Sequence, residues 1–181
     1  MRSISIYFYC LCALFLLFPQ WVSCQSQQQN DSSQTHLLTT AKEIMVAAGN
    51  CALITLDQEG HPRVRIMDPF LPEDDFTVWF GTNQKSRKVK QIQHDQRVTL
   101  YYVDNDKSGY VTLHGIAQLV DDQKEKDIRW KDAWKNFYPN KDRDYLLIKV
   151  VPEWMEVLSI TRGINGDTVT WQPPEISFKK K

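Results

Sequence analysis

The chain has 181 residues, with 22 basic and 22 acidic side chains and a formal net charge of zero. One domain with a sizeable core fits this length, and the neutral balance excludes a general nucleic-acid binder, which needs surplus Lys and Arg to displace counterions. Aromatic residues make up 12% of the chain and include six Trp, which suits a compact core or a ring-binding pocket.

Arg2 precedes an apolar run over residues 4–18, interrupted by Ser5 and ended by Pro19 and Gln20. A basic start, a short apolar run and small residues after it read as a secretory signal over residues 1–24. The run is short for a bilayer span, the alternative being an uncleaved anchor. Val22-Ser23-Cys24 resembles the end of a bacterial lipoprotein signal, which would make Cys24 the lipidation site, although Trp21 stands where that pattern prefers Leu. An exported cell-envelope lipoprotein and a periplasmic or secreted form both stay open. Residues 25–35 are polar and predict a disordered tether. Cys10 and Cys12 fall in the signal, so no disulfide framework exists, and Cys51 reads as a buried small hydrophobe.

A domain over residues 36–173 follows. Residues 36–48 predict a helix with Leu37, Leu38, Ala41, Ile44, Met45 and Ala48 on one face and Gly49 as its cap. Residues 51–56 and 62–67 predict a hairpin around the turn Asp57-Gln58-Glu59-Gly60, with Arg63 and Arg65 on one face. Residues 76–80 predict a strand ended by Gly81, then a short helix over residues 85–93. Strands over residues 97–103 and 110–120 follow, the second bent at Gly115. Asp121 or Asp122 caps a helix whose apolar positions are Ile128, Trp130, Trp134 and Phe137, and Pro139 stops it. Strands over residues 145–151 and 155–160 flank Pro152, and residues 168–171 predict a last strand. Residues 174–181 read as a tail. The order points to a mainly β fold with peripheral helices, a small barrel rather than a parallel α/β sheet.

The segment Gly81-Thr82-Asn83-Gln84-Lys85-Ser86-Arg87-Lys88 places a strand end, two hydroxyls and several cations ahead of a helix. Helix N-termini present free N–H groups and partial positive charge, so this pattern suits phosphate. On spacing alone a solvated basic helix is the favoured alternative. His61, His94 and His114 lack metal-ligand spacing, and no metal site is expected. His114 reads as a packed strand residue, and Trp130 and Trp134 read as core.

Gly60-His61-Pro62-Arg63-Val64-Arg65 together with Phe80 through Lys88, Ile92 and Arg97-Val98-Thr99-Leu100 resemble the pyridoxamine 5'-phosphate oxidase-like family, in its general stress protein branch of FMN-binding split barrels. The resemblance spans roughly residues 38–171. It implies an FMN-binding split β-barrel in which Arg65, Gly81, Thr82, Ser86, Arg87 and Lys88 hold the FMN phosphate. It also implies that Ile66, Met67 and Asp68 run beside the flavin ring, that Tyr110 stands near it, and that the chain is a homodimer with flavin at the interface. Phe70 falls near the place where true pyridoxamine phosphate oxidases carry a Lys, and their C-terminal Arg-x-His segment is missing, so vitamin B6 oxidation is not expected. Relatives of this outline also bind deazaflavin or haem. An FMN-dependent oxidoreductase with an unknown small-molecule substrate is the leading expectation. A flavin, deazaflavin or haem module without turnover, and a fold that has lost its ligand, are the alternatives.

Overall fold

Alternation builds the first hairpin. In β1 (Cys51–Leu56), Cys51, Leu53 and Thr55 point into the core and the residues between them face outward. β2 (Pro62–Met67) returns antiparallel, with Leu53 opposite Arg65 and Thr55 opposite Arg63. Asp57 closes the turn, because its Oδ1 accepts the N–H groups of Glu59 at 3.1 Å and His61 at 2.9 Å. Gly60 supplies the positive φ of 79° that the turn requires. The two like charges of β2 are separated by their partners: Arg63 donates to Asp57 at 2.7 Å, and Arg65 turns to Thr55 and Gln91.

The computed structural model describes residues 18–178, with side chains described from residue 31. Contacts divide the chain into residues 1–38 and residues 39–181. Helix α1 (Phe18–Ala48) begins well ahead of the predicted residue 36 and takes in the polar stretch for which the sequence predicted disorder. That stretch carries no Gly or Pro and is rich in Gln, a fair helix former. Within the second unit α1 buries Ala41, Ile44 and Met45, and Gly49 at φ 68° ends it. Most of the predicted signal and the Cys24 side chain lie outside the described residues. No helix among the described residues is long and apolar enough to cross a membrane.

One antiparallel sheet forms the rest, in the order β2-β1-β4-β5-β6-β3, with β7 on β6. Its members are β3 (Val78–Asn83), β4 (Arg97–Val103), β5 (Gly109–Val120), β6 (Tyr145–Ser159) and β7 (Glu175–Ser177). The inner face carries Leu53, Leu100, Val111, Leu113, Val150, Met155 and Val157, all fully buried. Burying each such side chain is worth about 1.5–3 kcal/mol.

Four predicted boundaries change. β3 starts at Val78 because Phe76 takes a positive φ in the preceding turn, and it runs past Gly81 because Gly81 pairs with Leu147. β6 passes through Pro152 unbroken. Gly115 stands opposite Pro152 while His114 stands opposite Trp154, so Glu153 is the extra residue of a bulge, and the ladder tolerates a residue without an N–H there. The predicted third helix breaks up into α3 (Gln123–Ile128), a 3₁₀ turn (Asp132–Asn136) and α4 (Lys141–Asp144). Asp122 caps α3 as expected, accepting the Glu125 N–H at 3.0 Å. The Tyr145 hydroxyl donates to the Arg129 carbonyl just beyond α3. Finally, residues 168–171 form a turn, because Asp167 Oδ1 accepts the N–H groups of Val169 and Thr170. The last strand is β7, whose buried Ile176 makes residues 175–178 part of the fold rather than a tail.

Candidate functional site

β3 leads through a tight turn into α2 (Arg87–His94). Asn83 closes that turn with its own atoms: its carbonyl accepts the Ser86 N–H at 3.0 Å and its Oδ1 accepts the Lys85 N–H at 2.8 Å. Ser86 occupies the N-cap position, yet its hydroxyl does not cap α2. It lies 3.2 Å from the hydroxyl of buried Thr82, which also accepts from Lys88 Nζ at 3.1 Å. First-turn N–H groups of a helix have no intrahelical partner, so Thr82, Ser86 and Lys88 assemble at a positive helix end.

Arg65 reaches toward this end from the core side of β2. Its guanidinium donates to Thr55 Oγ1 at 2.7 Å, Leu53 O at 3.2 Å and Gln91 Oε1 at 2.8 Å. Burial, and then the charge of Arg87, lowers its affinity for the proton. Burial, and then the charge of Arg65, does the same to the Lys88 ammonium. Among the described residues no carboxylate forms an ion pair with Arg65, Arg87 or Lys88. Three cations held together without a counter-charge repel one another, and an anion placed among them would relieve that repulsion.

Beside this group lies a cleft of about 510 Å³. It brings together Ile66, Met67, Asp68, Gly81, Thr82 and Lys88, residues that the family resemblance implies at phosphate and ring. Ser86 adjoins it through Thr82, and Arg87 opens α2. Tyr110 is not among the lining residues. It stands on the outer face of β5, its ring 5.4 Å from that of Tyr101.

The cleft also has a wall that sequence reasoning missed, made of Trp134, Phe137 and Tyr138. The sequence places Trp134 and Phe137 among the apolar positions of one helix, with Trp134 in the core. Trp134 instead lies over β3, where a Cβ on Gly81 would come within 2.5 Å of its ring and 2.7 Å of the Tyr145 ring. Gly81 is therefore a seat for two aromatic rings. Trp130, Tyr138 and Phe70 pack around Trp134, the last edge-on at 5.6 Å. Lys131 fastens the segment to Asp68 at 2.7 Å and lies 5.0 Å from the Phe70 ring centre. Arg129 sits 3.8 Å over the Trp79 ring and pairs with Glu73 at 2.8 Å. Six Trp in a chain of this size were the available signal, but nothing in their spacing said which rings would face a cleft.

Other candidates resolve structurally. His114 stacks on Trp154 at 3.7 Å and shares a hydrogen bond with Thr99 at 3.0 Å, and burial lowers its ring's affinity for a proton. Cys51 is buried and free, its thiol pushed up to about 12 by burial, which makes it a poor nucleophile. Among the described residues Asp57, Glu59 and His61 hold ligand-type atoms within 4.8 Å of one another, but the Asp57 oxygens already serve the turn and Arg63.

A family model described as "Pyridoxamine 5'-phosphate oxidase like" matches residues 37–162. No curated protein matches the chain. Among solved structures, the general stress protein 26 of Bacillus anthracis is 21% identical with a TM-score of 0.62, covering 79% of this chain and 99% of its own. A pyridoxamine 5'-phosphate oxidase-related, FMN-binding protein of Nostoc punctiforme is 17% identical, with a TM-score of 0.56 and coverage of 82% and 96%. A heme binding protein of Mycobacterium smegmatis is also 17% identical, with a TM-score of 0.55 and coverage of 67% and 53%. The shared fold is the split barrel.

Proposed function

The chain belongs to the pyridoxamine 5'-phosphate oxidase-like family, and on that premise we propose that it binds FMN and serves as an FMN-dependent oxidoreductase. The observation that carries this reading is the group of Arg65, Arg87 and Lys88 with the Thr82 and Ser86 hydroxyls at the N-terminus of α2. A phosphate monoester supplies the negative charge that this group lacks and accepts from its donors. The residues present therefore fit FMN. Arg87 and Lys88 bind the phosphate, with Thr82 and Ser86 orienting it. Arg65, fixed by Thr55 and Gln91, adds charge from behind. Ile66, Met67 and Trp134 enclose the ring and exclude water. When bound, the flavin supplies the electron-transfer chemistry itself.

FMN is preferred over haem because Thr82 and Lys88, donors suited to a phosphate, line the cleft beside Arg65 and Arg87. A homodimer belongs to the same reading. Val64, Ile66, Tyr101 and Val103 stand 37–70% exposed on the outer face of the sheet, an apolar row that a second copy would cover. Export with a signal over residues 1–24, and lipidation at Cys24, is proposed from the sequence pattern alone.

Titration of the purified protein with FMN tests the reading. A saturable perturbation of the flavin absorbance is expected, followed by bleaching when NADH or NADPH is added. No binding removes the flavin reading. Binding without bleaching by any donor leaves a flavin module without turnover.

A further inference from the structure

Phe137 is an unusual residue for its position. Trp134 and Tyr138 on either side are packed into the ring cluster around Tyr145, yet Phe137 is 72% exposed and lines the cleft. The segment that presents it is held by contacts that need no ligand: the Tyr145 hydroxyl on the Arg129 carbonyl, Arg129 over Trp79, and Lys131 on Asp68. An exposed aromatic face on a braced wall is a preformed surface for another flat ring. Beside it the Tyr138 hydroxyl makes no hydrogen bond among the described residues, while its ring packs 5.1 Å from Tyr145 and 6.0 Å from Trp134. A phenol keeps its proton at neutral pH, and burial raises the Tyr138 hydroxyl further above its ordinary value. The wall thus combines one stacking face with one unused donor, which selects a planar ring bearing an acceptor oxygen.

We propose that Phe137 and Tyr138 are specificity residues of the cleft, and that they receive a planar aromatic co-substrate carrying a ring carbonyl, of the quinone type. This rests on the FMN reading above, with the phosphate group, Ile66, Met67 and Trp134 holding the cofactor and Phe137 and Tyr138 holding the second ring. The test uses the full chain loaded with FMN and 1,4-naphthoquinone as the probe, its dissociation constant read by calorimetry on oxidised protein. FMN affinity is measured separately for each variant, and far-UV circular dichroism checks that each is folded. Phe137→Ala is expected to weaken naphthoquinone about 3- to 10-fold, the size of one lost aromatic pair, and to leave FMN affinity within about twofold. Tyr138→Phe, which keeps the ring, is expected to weaken naphthoquinone about 3- to 10-fold, the size of one lost hydrogen bond, with cyclohexane-1,4-dione, which has the carbonyls without the aromatic ring, losing as much in Tyr138→Phe and nothing in Phe137→Ala. Naphthoquinone binding that is absent, or equal in all three proteins, overturns the inference while FMN binding stands. A Phe137→Ala protein that loses FMN instead also overturns it, placing that ring on the flavin. If the unaltered protein binds no FMN, the cofactor reading fails first and this inference falls with it.

Discussion

The two ends of the cleft are built in opposite ways. The anion end comes mainly from one continuous stretch, residues 82–88, in which a strand, an Asn-closed turn and a helix start bring Ser86 and Lys88 within hydrogen-bonding reach of Thr82. The ring end comes from residues 130–138, far along the chain, laid over β3 through contacts with Tyr145, Phe70 and Asp68. Local geometry determines the first, and tertiary packing determines the second. The anion end should therefore be sensitive to single charges, and the ring end to shape.

Gly81 is the point where the two ends meet, and the largest effect is expected there. Gly81→Val places a side chain against the Trp134 and Tyr145 rings, and overpacking of this kind costs about 1–3 kcal/mol or more. Thermal unfolding should show the loss, and Trp fluorescence should report a displaced wall. A variant as stable as the parent with unchanged fluorescence would mean that Trp134 does not rest on β3.

Arg87→Ala probes the anion end alone. FMN affinity should fall by roughly 1.5–3 kcal/mol, the worth of a charged hydrogen bond, with no change in melting temperature, because Arg87 is exposed. Equal FMN affinity in a titration would remove Arg87 from the site.

The pH dependence separates binding from folding. Lys88 is held below its ordinary 10.5 by burial and by Arg65. A cation with a lowered folded value is bound by more protons in the unfolded chain across the window between the two values. Stability of the ligand-free protein should therefore rise with pH through that window. FMN affinity should fall through the same range, because the ammonium that meets the phosphate is lost. Lys88→Met should abolish both trends. If the two quantities moved together, Lys88 would not be the group that connects them.

The smallest effect belongs to the Asp68–Lys131 pair, both partners of which are partly exposed. Asp68→Asn should cost under about 1 kcal/mol and leave FMN affinity nearly unchanged. A loss comparable to that of Arg87→Ala would make the pair part of the ring site rather than a brace.

Much of the fold was legible because its signals are local. The ranges of β1, β2 and β4, the Gly49 and Asp122 caps and the buried side of α2 all followed from alternation, helical periodicity and capping chemistry. Three of the departures share one cause. Pro152 reads as a strand break until Gly115 is placed opposite it. Ile128 and Phe137 read as apolar positions of one helix until that helix breaks at Arg129, leaving both exposed. Residues 175–178 read as a tail until β6 offers its edge. In each case the deciding partner is distant in sequence.

The sequence by itself, through its resemblance, determined the family and the split-barrel class, and it set the hydroxyls and cations in one stretch ahead of α2, where a strand, a turn and a helix start impose their own geometry on neighbouring residues. Only the tertiary structure decided that Gly81 seats aromatic rings, that Tyr110 stands outside the cleft, and that Trp134, Phe137 and Tyr138 wall it. Those facts depend on which side chains meet across the sheet, and close packing of bulky rings against a residue with no side chain is a property of the pair, written in neither segment alone.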